Sequence, residues 1–169
     1  MTRAASASGQ LQLYLLRHAD AGDPAAWSRP DAERPLSAKG RRQATWVGRW
    51  LKRQGRLPDV VVTSPKARAA ETANLATQGW KRKAIVDERL EAGFGLEGLG
   101  ALLAEHAPKG GRVLLVGHDP DLSDLASLLL GAAVALKKGA LVRIDLAGPP
   151  GVGTGTLRFL VPPEALVED

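Results

Sequence analysis

The chain has 169 residues, of which 44% are hydrophobic and 24% charged, with a formal net charge of +5 and no cysteine. That length suits one domain with a single substantial core, and the missing cysteines exclude disulfides, thiolate nucleophiles and cysteine-ligated metal. No apolar run approaches the ~18 residues that span a bilayer, so no membrane partner is expected.

Residues 1–10 lack the apolar centre of a secretory signal. They read as a flexible tail ahead of a single domain over 11–169, with the cytoplasm as the expected location. The basic excess is scattered over Lys39, Arg41, Arg42, Lys81, Arg82, Lys83, Lys137 and Lys138, while aromatic residues make up only 4%. Without a stacking platform this reads as a solvated basic surface, and no nucleic-acid partner is expected. A positive field still suits an anionic substrate or an acidic partner.

Residues 11–16 form a short apolar strand of the kind buried on both faces. Residues 20–35 are polar and carry Gly22, Pro24, Pro30 and Pro35, which makes a long loop beside the first strand end. Ser37 caps a helix running to about Gln54, with Ala44, Val47 and Leu51 as its stripe and Trp46 and Trp50 widening it. Residues 59–63 are a second buried strand. Ser64-Pro65 then opens a helix to about Thr77, the hydroxyl capping and the proline tolerated at the first position. Residues 84–86 give a third strand and 96–106 a helix with Leu99, Leu102 and Leu103 inward. Residues 112–116 are the fourth strand, and Asp119-Pro120 repeats the cap-plus-proline opening for a helix over 122–130. A fifth strand over 140–146 shows partial alternation, and 156–161 is a last strand at an edge. Strand and helix alternate for most of the length, which predicts a three-layer α/β/α fold with a mostly parallel sheet of about six strands.

Two apolar strands end alike, in Arg17-His18 and in Gly117-His118. Ligands of open α/β sheets lie beyond the carboxyl ends of the strands, so the two histidines meet over one crevice if their strands are neighbours. Arg68, near the start of its helix, leans back toward the same edge, where two helix N-termini also favour anions. Guanidinium forks match phosphate oxygens, and a neutral imidazole is a good nucleophile near pH 7. The expectation is a phosphoryl site. His18 attacks phosphorus in line, Arg17, Arg68 and His118 hold the equatorial oxygens, and a phosphohistidine then hydrolyses. Neither metal nor any other cofactor is needed. Taken singly each residue has a plainer reading, such as Arg68 pairing with Glu71 on its own helix; their joint placement at successive strand ends favours function.

At these residues the chain resembles a family. Leu15-Leu16-Arg17-His18-Ala19 is similar to the Arg-His-Gly signature of the histidine phosphatase superfamily, which includes the phosphoglycerate mutases. Arg34-Pro35-Leu36-Ser37 with Gly40, Ser64-Pro65 with Arg68, Ala69 and Thr72, and Gly117-His118-Asp119-Pro120 resemble its short branch, the SixA-type phosphohistidine phosphatases. The likeness runs over about 11–146 with four blocks in order. It implies a phosphoglycerate-mutase-like fold, His18 as phosphoryl acceptor, a phosphate pocket of Arg17, Arg68 and His118, and an open, shallow site. Such a site suits phosphohistidine on a partner protein, for instance a histidine phosphotransfer domain or a phosphocarrier.

Ala19 stands where the signature has glycine. Mutase-like relatives carry an acidic residue after the third strand, a place Glu91 fits, with Glu88 and Glu97 as rivals and a solvated loop charge as the plain alternative. Three other readings stay open: a small-molecule phosphomonoester phosphatase or mutase, a metallophosphatase using His18, Asp20, His118, Asp119 and Asp121, and a phosphoprotein-binding module without turnover.

Overall fold

A computed structural model describes residues 10–55 and 57–166; apart from Gln10, the tail expected over 1–10 lies outside them. The elements in order are β1 (Leu11–Arg17), α1 (Ala38–Arg53), β2 (Val60–Thr63), α2 (Ala67–Ala76), β3 (Ile85–Val86), α3 (Leu96–His106), β4 (Gly111–Gly117), α4 (Asp121–Leu130), β5 (Leu141–Leu146) and β6 (Gly155–Val161). All six strands join one sheet in the order β3-β2-β4-β1-β5-β6. Neighbours among β3, β2, β4 and β1 are parallel, β5 is antiparallel to β1, and β6 is antiparallel to β5. The expected mostly parallel sheet is what forms.

Strand periodicity divides the core into two halves. Along β1, Leu13 and Leu15 join Leu99 and Leu102 of α3 and Leu122, Leu125 and Leu129 of α4. Tyr14 and Leu16 point the other way, toward Val47 and Leu51 of α1 and Ala69, Ala73 and Ala76 of α2. Because side chains alternate across a strand, a continuous apolar run is the pattern that feeds two cores at once. Those four β1 side chains are all 0–1% exposed.

Two glycines let α1 dock. A Cβ on Gly48 would stand 2.2 Å from the carbonyl oxygen of Ala76, and one on Gly40 would stand 1.9 Å from that of Asp20. Neither backbone can retreat without opening the layer, so only hydrogen fits. Ser37 caps α1 as expected, accepting the Gly40 N–H at 3.0 Å.

Two local expectations are corrected. First, α2 starts at Ala67 with Lys66 at its cap position; Ser64 precedes the helix, and its hydroxyl accepts the Lys66 N–H at 3.3 Å. Second, α4 starts at Asp121 after Pro120, while Asp119 reaches past it to the Ser123 N–H at 3.3 Å. The fifth strand, with its partial alternation, has all six β5 residues buried. Arg143 and Asp145 satisfy each other there through two hydrogen bonds of 2.8 and 3.0 Å, which is how charged groups tolerate burial.

The topology also places the crevice. The chain leaves β1 toward the face carrying α1 and leaves β4 toward the face carrying α4. Adjacent parallel strands with connections to opposite faces leave an opening at their carboxyl ends.

Candidate active site

The β1–β4 register pairs Arg17 with Gly117, so His18 and His118 emerge side by side. The His18 N–H donates to the Gly117 carbonyl at 2.9 Å, closing the ladder one step beyond the strands. The two rings stand 5.2 Å apart between centroids. Both are buried, His18 at 6% and His118 at 8% exposure. His18 Nδ1 lies 2.8 Å from the carbonyl oxygen of Ala19. A carbonyl only accepts, so Nδ1 carries the proton and Nε2 keeps its lone pair. Burial, then the positive charges of Arg68, Arg17 and Lys138, outweigh that hydrogen bond and lower the His18 pKa to about 4. The ring is therefore neutral at pH 7.

His118 is lowered to about 3, first by burial and then by the charges of His18, Arg68 and Lys66. Its Nε2 sits 2.7 Å from Ser64 Oγ at the end of β2. Three strand ends thus converge. The alanine at position 19 is accommodated because no non-glycine among the described residues has a positive φ. Its N–H donates to Thr72 Oγ1 at 3.1 Å, and Thr72 Oγ1 donates to the Arg68 carbonyl at 2.6 Å. Residues of two separate sequence blocks are thereby held together.

Arg17 Nη1 donates to the Leu136 carbonyl at 2.7 Å and pairs with Asp119 at 3.2 Å. Arg68 is in the first turn of α2 and 6% exposed. Its Nη1 donates to the Asp31 carbonyl and its Nη2 to Asp31 Oδ2, both at 2.9 Å. Four buried side-chain nitrogen or oxygen atoms among the described residues make no hydrogen bond: Gln12 Oε1, Arg17 Nε, Arg68 Nε and His118 Nδ1. Three of the four belong to this site. A buried unsatisfied polar atom costs about 1–3 kcal/mol, so three at one crevice, two of them arginine donors, mark a place arranged for a polar ligand.

The family model for the histidine phosphatase superfamily (branch 1) matches residues 13–109. The chain belongs to that superfamily. His118 lies beyond the matched stretch, and the β4 register brings it in. An uncharacterized protein of Picosynechococcus is 32% identical over 156 residues, 88% of either chain. The structure of the protein histidine phosphatase SixA complexed with tungstate superposes with a TM-score of 0.79 at 24% identity, covering 93% of this chain and all of that one. A mutant phosphoserine phosphatase of Entamoeba histolytica in complex with phosphoserine superposes at 0.71 with 14% identity, covering 93% of this chain and all of its own. The fold of this histidine phosphatase is that shared scaffold.

Other candidates of the sequence fall elsewhere. Glu91 is exposed just after a 3₁₀ turn, Glu88–Leu90, and Glu88 and Glu97 are exposed too. That segment follows β3 and is tied to the site edge by the Phe94 N–H, which donates to Asp121 at 3.1 Å. The five residues of the metal reading do not gather. Asp20 accepts from Ser37 Oγ at 2.6 Å, Asp119 is held by Arg17 and Ser123, and Asp121 takes Phe94. Among the described residues the one such grouping is Asp87, Glu105 and His106, and Arg89 already bridges its two carboxylates. Glu71 accepts from Arg41 at 2.6 Å and from the Leu36 N–H at 2.9 Å, so it is not the partner of Arg68. Sequence reasoning missed Asp31 and assigned Ser64 only to helix capping. A polar side chain in a proline-rich loop carries no periodic signal, and only the pairing across 37 positions reveals Asp31.

Proposed function

We propose that this phosphatase removes the phosphoryl group from phosphohistidine on a partner protein, such as a histidine phosphotransfer domain or a phosphocarrier, through a covalent intermediate at His18. The observation that carries this reading is the trio of buried, unpartnered nitrogens on Arg17, Arg68 and His118 around the neutral ring of His18. In the first step the Nε2 lone pair of His18 forms a bond to phosphorus as the partner's N–P bond breaks. The departing ring keeps the bonding pair and leaves neutral once its other nitrogen is protonated. The Nε–H groups of both arginines and the Nδ1–H of His118 meet the equatorial oxygens as charge redistributes. Ser64 suits this role: its hydroxyl accepts from the Lys66 N–H and lies 2.7 Å from His118 Nε2, where it can donate, and in that arrangement the ring proton sits on Nδ1. In the second step water forms the new P–O bond, the His18–phosphorus bond breaks, and phosphate departs with the water's oxygen and hydrogens.

An imidazole leaves more readily than an alkoxide, so an exposed acid such as Glu91 suffices for a phosphoramidate. Small phosphate esters form the second reading, favoured by the superposition on a phosphoserine phosphatase; a mutase acting on such esters belongs with it, and binding without turnover is the third. Phosphoryl trapping on the purified protein tests the mechanism. Acid-labile, alkali-stable label at His18 is expected, and label elsewhere or none overturns it. Relative kcat/KM for phosphohistidine peptides and a panel of esters then separates the substrates.

A further inference from the structure

Arg68 has more partners than an oxyanion clamp needs, and they come from one residue. Both terminal nitrogens of its guanidinium face Asp31, one on the backbone carbonyl and one on the carboxylate, each at 2.9 Å. A guanidinium has five N–H donors fixed in one plane. With its outer edge taken, the Nε–Nη2 flank keeps Nε–H and the second Nη2–H, and the buried Nε has no partner. Asp31 itself is fixed. Its Oδ1 accepts from Arg34 Nε at 3.0 Å, and Arg34, 7% exposed, donates through Nη1 to the Ala21 carbonyl at 2.8 Å. The two ends of the long loop are thereby tied to each other and then to Arg68.

The same plan occurs at Arg17. Its terminal nitrogen is held by a backbone carbonyl, that of Leu136, and by a carboxylate, that of Asp119. Asp119 in turn is held by Ser123, through N–H at 3.3 Å and hydroxyl at 2.7 Å. Again Nε is buried and unpartnered. Two arginines from distant segments are thus each held by an acid and a carbonyl, Arg68 through both terminal nitrogens and Arg17 through Nη1 alone, and each keeps an unpartnered Nε.

We infer that Asp31 is a positioning residue: it grips the tip of the Arg68 guanidinium so that the Nε flank, rather than the tip, is presented to the phosphoryl oxygens. This rests on the reading above that Arg68 binds the phosphoryl group. It gives the loop over 20–35 a role, since the 3₁₀ turn Asp31–Glu33 delivers both acceptors to Arg68 from one residue. A preset guanidinium loses less freedom on binding than a swinging one.

The test is a double-mutant cycle read by tungstate binding to the whole protein, with thermal unfolding beside it. Asp31→Ala is expected to weaken tungstate about tenfold, in the range of an outer residue that orients a ligand, and to raise KM more than it lowers kcat. In an Arg68→Ala background the same change should do nothing, because Asp31 acts only through Arg68. Asp31→Asn, which keeps the shape and the backbone carbonyl, should fall between and guards against a folding defect. Tighter tungstate binding in Asp31→Ala would make the carboxylate a competitor for the phosphoryl place and overturn the inference. Equal losses in both backgrounds, or none in either with Arg68→Ala itself weakened, would overturn it as well. Unchanged binding in Arg68→Ala alone would remove Arg68 from the pocket and sink the underlying reading together with this one.

Discussion

Arg143 and Arg68 are buried to similar degrees, 9% and 6% exposed, and each lies against an aspartate. Their hydrogen bonding differs. Arg143 commits Nε and Nη2 to Asp145, and Arg158 adds a third bond to the same carboxylate at 2.7 Å. That group is closed, a charged staple across β5 and β6. Arg68 commits only its tip and leaves Nε buried without a partner, as does Arg17. Burial of an arginine therefore says little about its role here. On the function proposed above, the unfinished donor separates a residue that holds the protein together from one that receives an anion.

The largest effect expected from this contrast comes from His18, the proposed nucleophile between the unfinished donors. His18→Ala should lower kcat by at least about a thousandfold while tungstate still binds and the unfolding transition is retained; substantial remaining turnover with phosphoryl label elsewhere would remove His18 from its role. Next come the two arginines themselves. Arg68→Ala should cost about a hundredfold in kcat/KM, the scale of a lost transition-state donor, with little change in Tm. Arg143→Ala should do the reverse, leaving Asp145 buried with one partner fewer and lowering stability by about 2 kcal/mol while the folded protein keeps its activity. If both variants lost activity in proportion to stability, the distinction drawn between the two sites would be empty.

A smaller effect is expected at the site's rim. Glu91→Gln should slow alkyl phosphate esters about tenfold and phosphohistidine much less, measured as kcat/KM on the two substrate types. Equal effects would leave Glu91 a solvated charge. The smallest is an effect that should be missing. Lowered to about 4, His18 stays neutral as pH falls from 7 to 5 and loses its lone pair only as pH passes down through about 4. After correction for substrate ionisation, kcat/KM should be nearly flat over that upper range, and an acidic limb near 6.5 would show an imidazole that burial has not perturbed.

Much of the framework is visible in single stretches. The apolar run over 13–16 carries its two-sided burial in its composition. Ser37 caps α1 because its hydroxyl needs only the N–H three residues on, and Leu99, Leu102 and Leu103 mark the inward side of α3 by spacing alone. The starts of α2 and α4 were displaced by two residues and one. At each, a polar side chain that could cap locally has a stronger claim on it from another strand end or an arginine: Ser64 on His118, Asp119 on Arg17. The charged pair in β5 was not legible for a related reason, since alternation records polarity and not whether two polar groups satisfy each other.

Residue order alone settled which side chains stand at the ends of strands, because a strand and the turn that stops it are decided by a handful of neighbours. It could not settle that β1 lies beside β4, a pairing of segments a hundred positions apart, nor that Asp31 reaches Arg68. Those depend on loop closures and layer packing to which every helix contributes. The chemistry of the site is written locally, and its geometry, including which nitrogens of two arginines remain free, was decided only when the sheet closed.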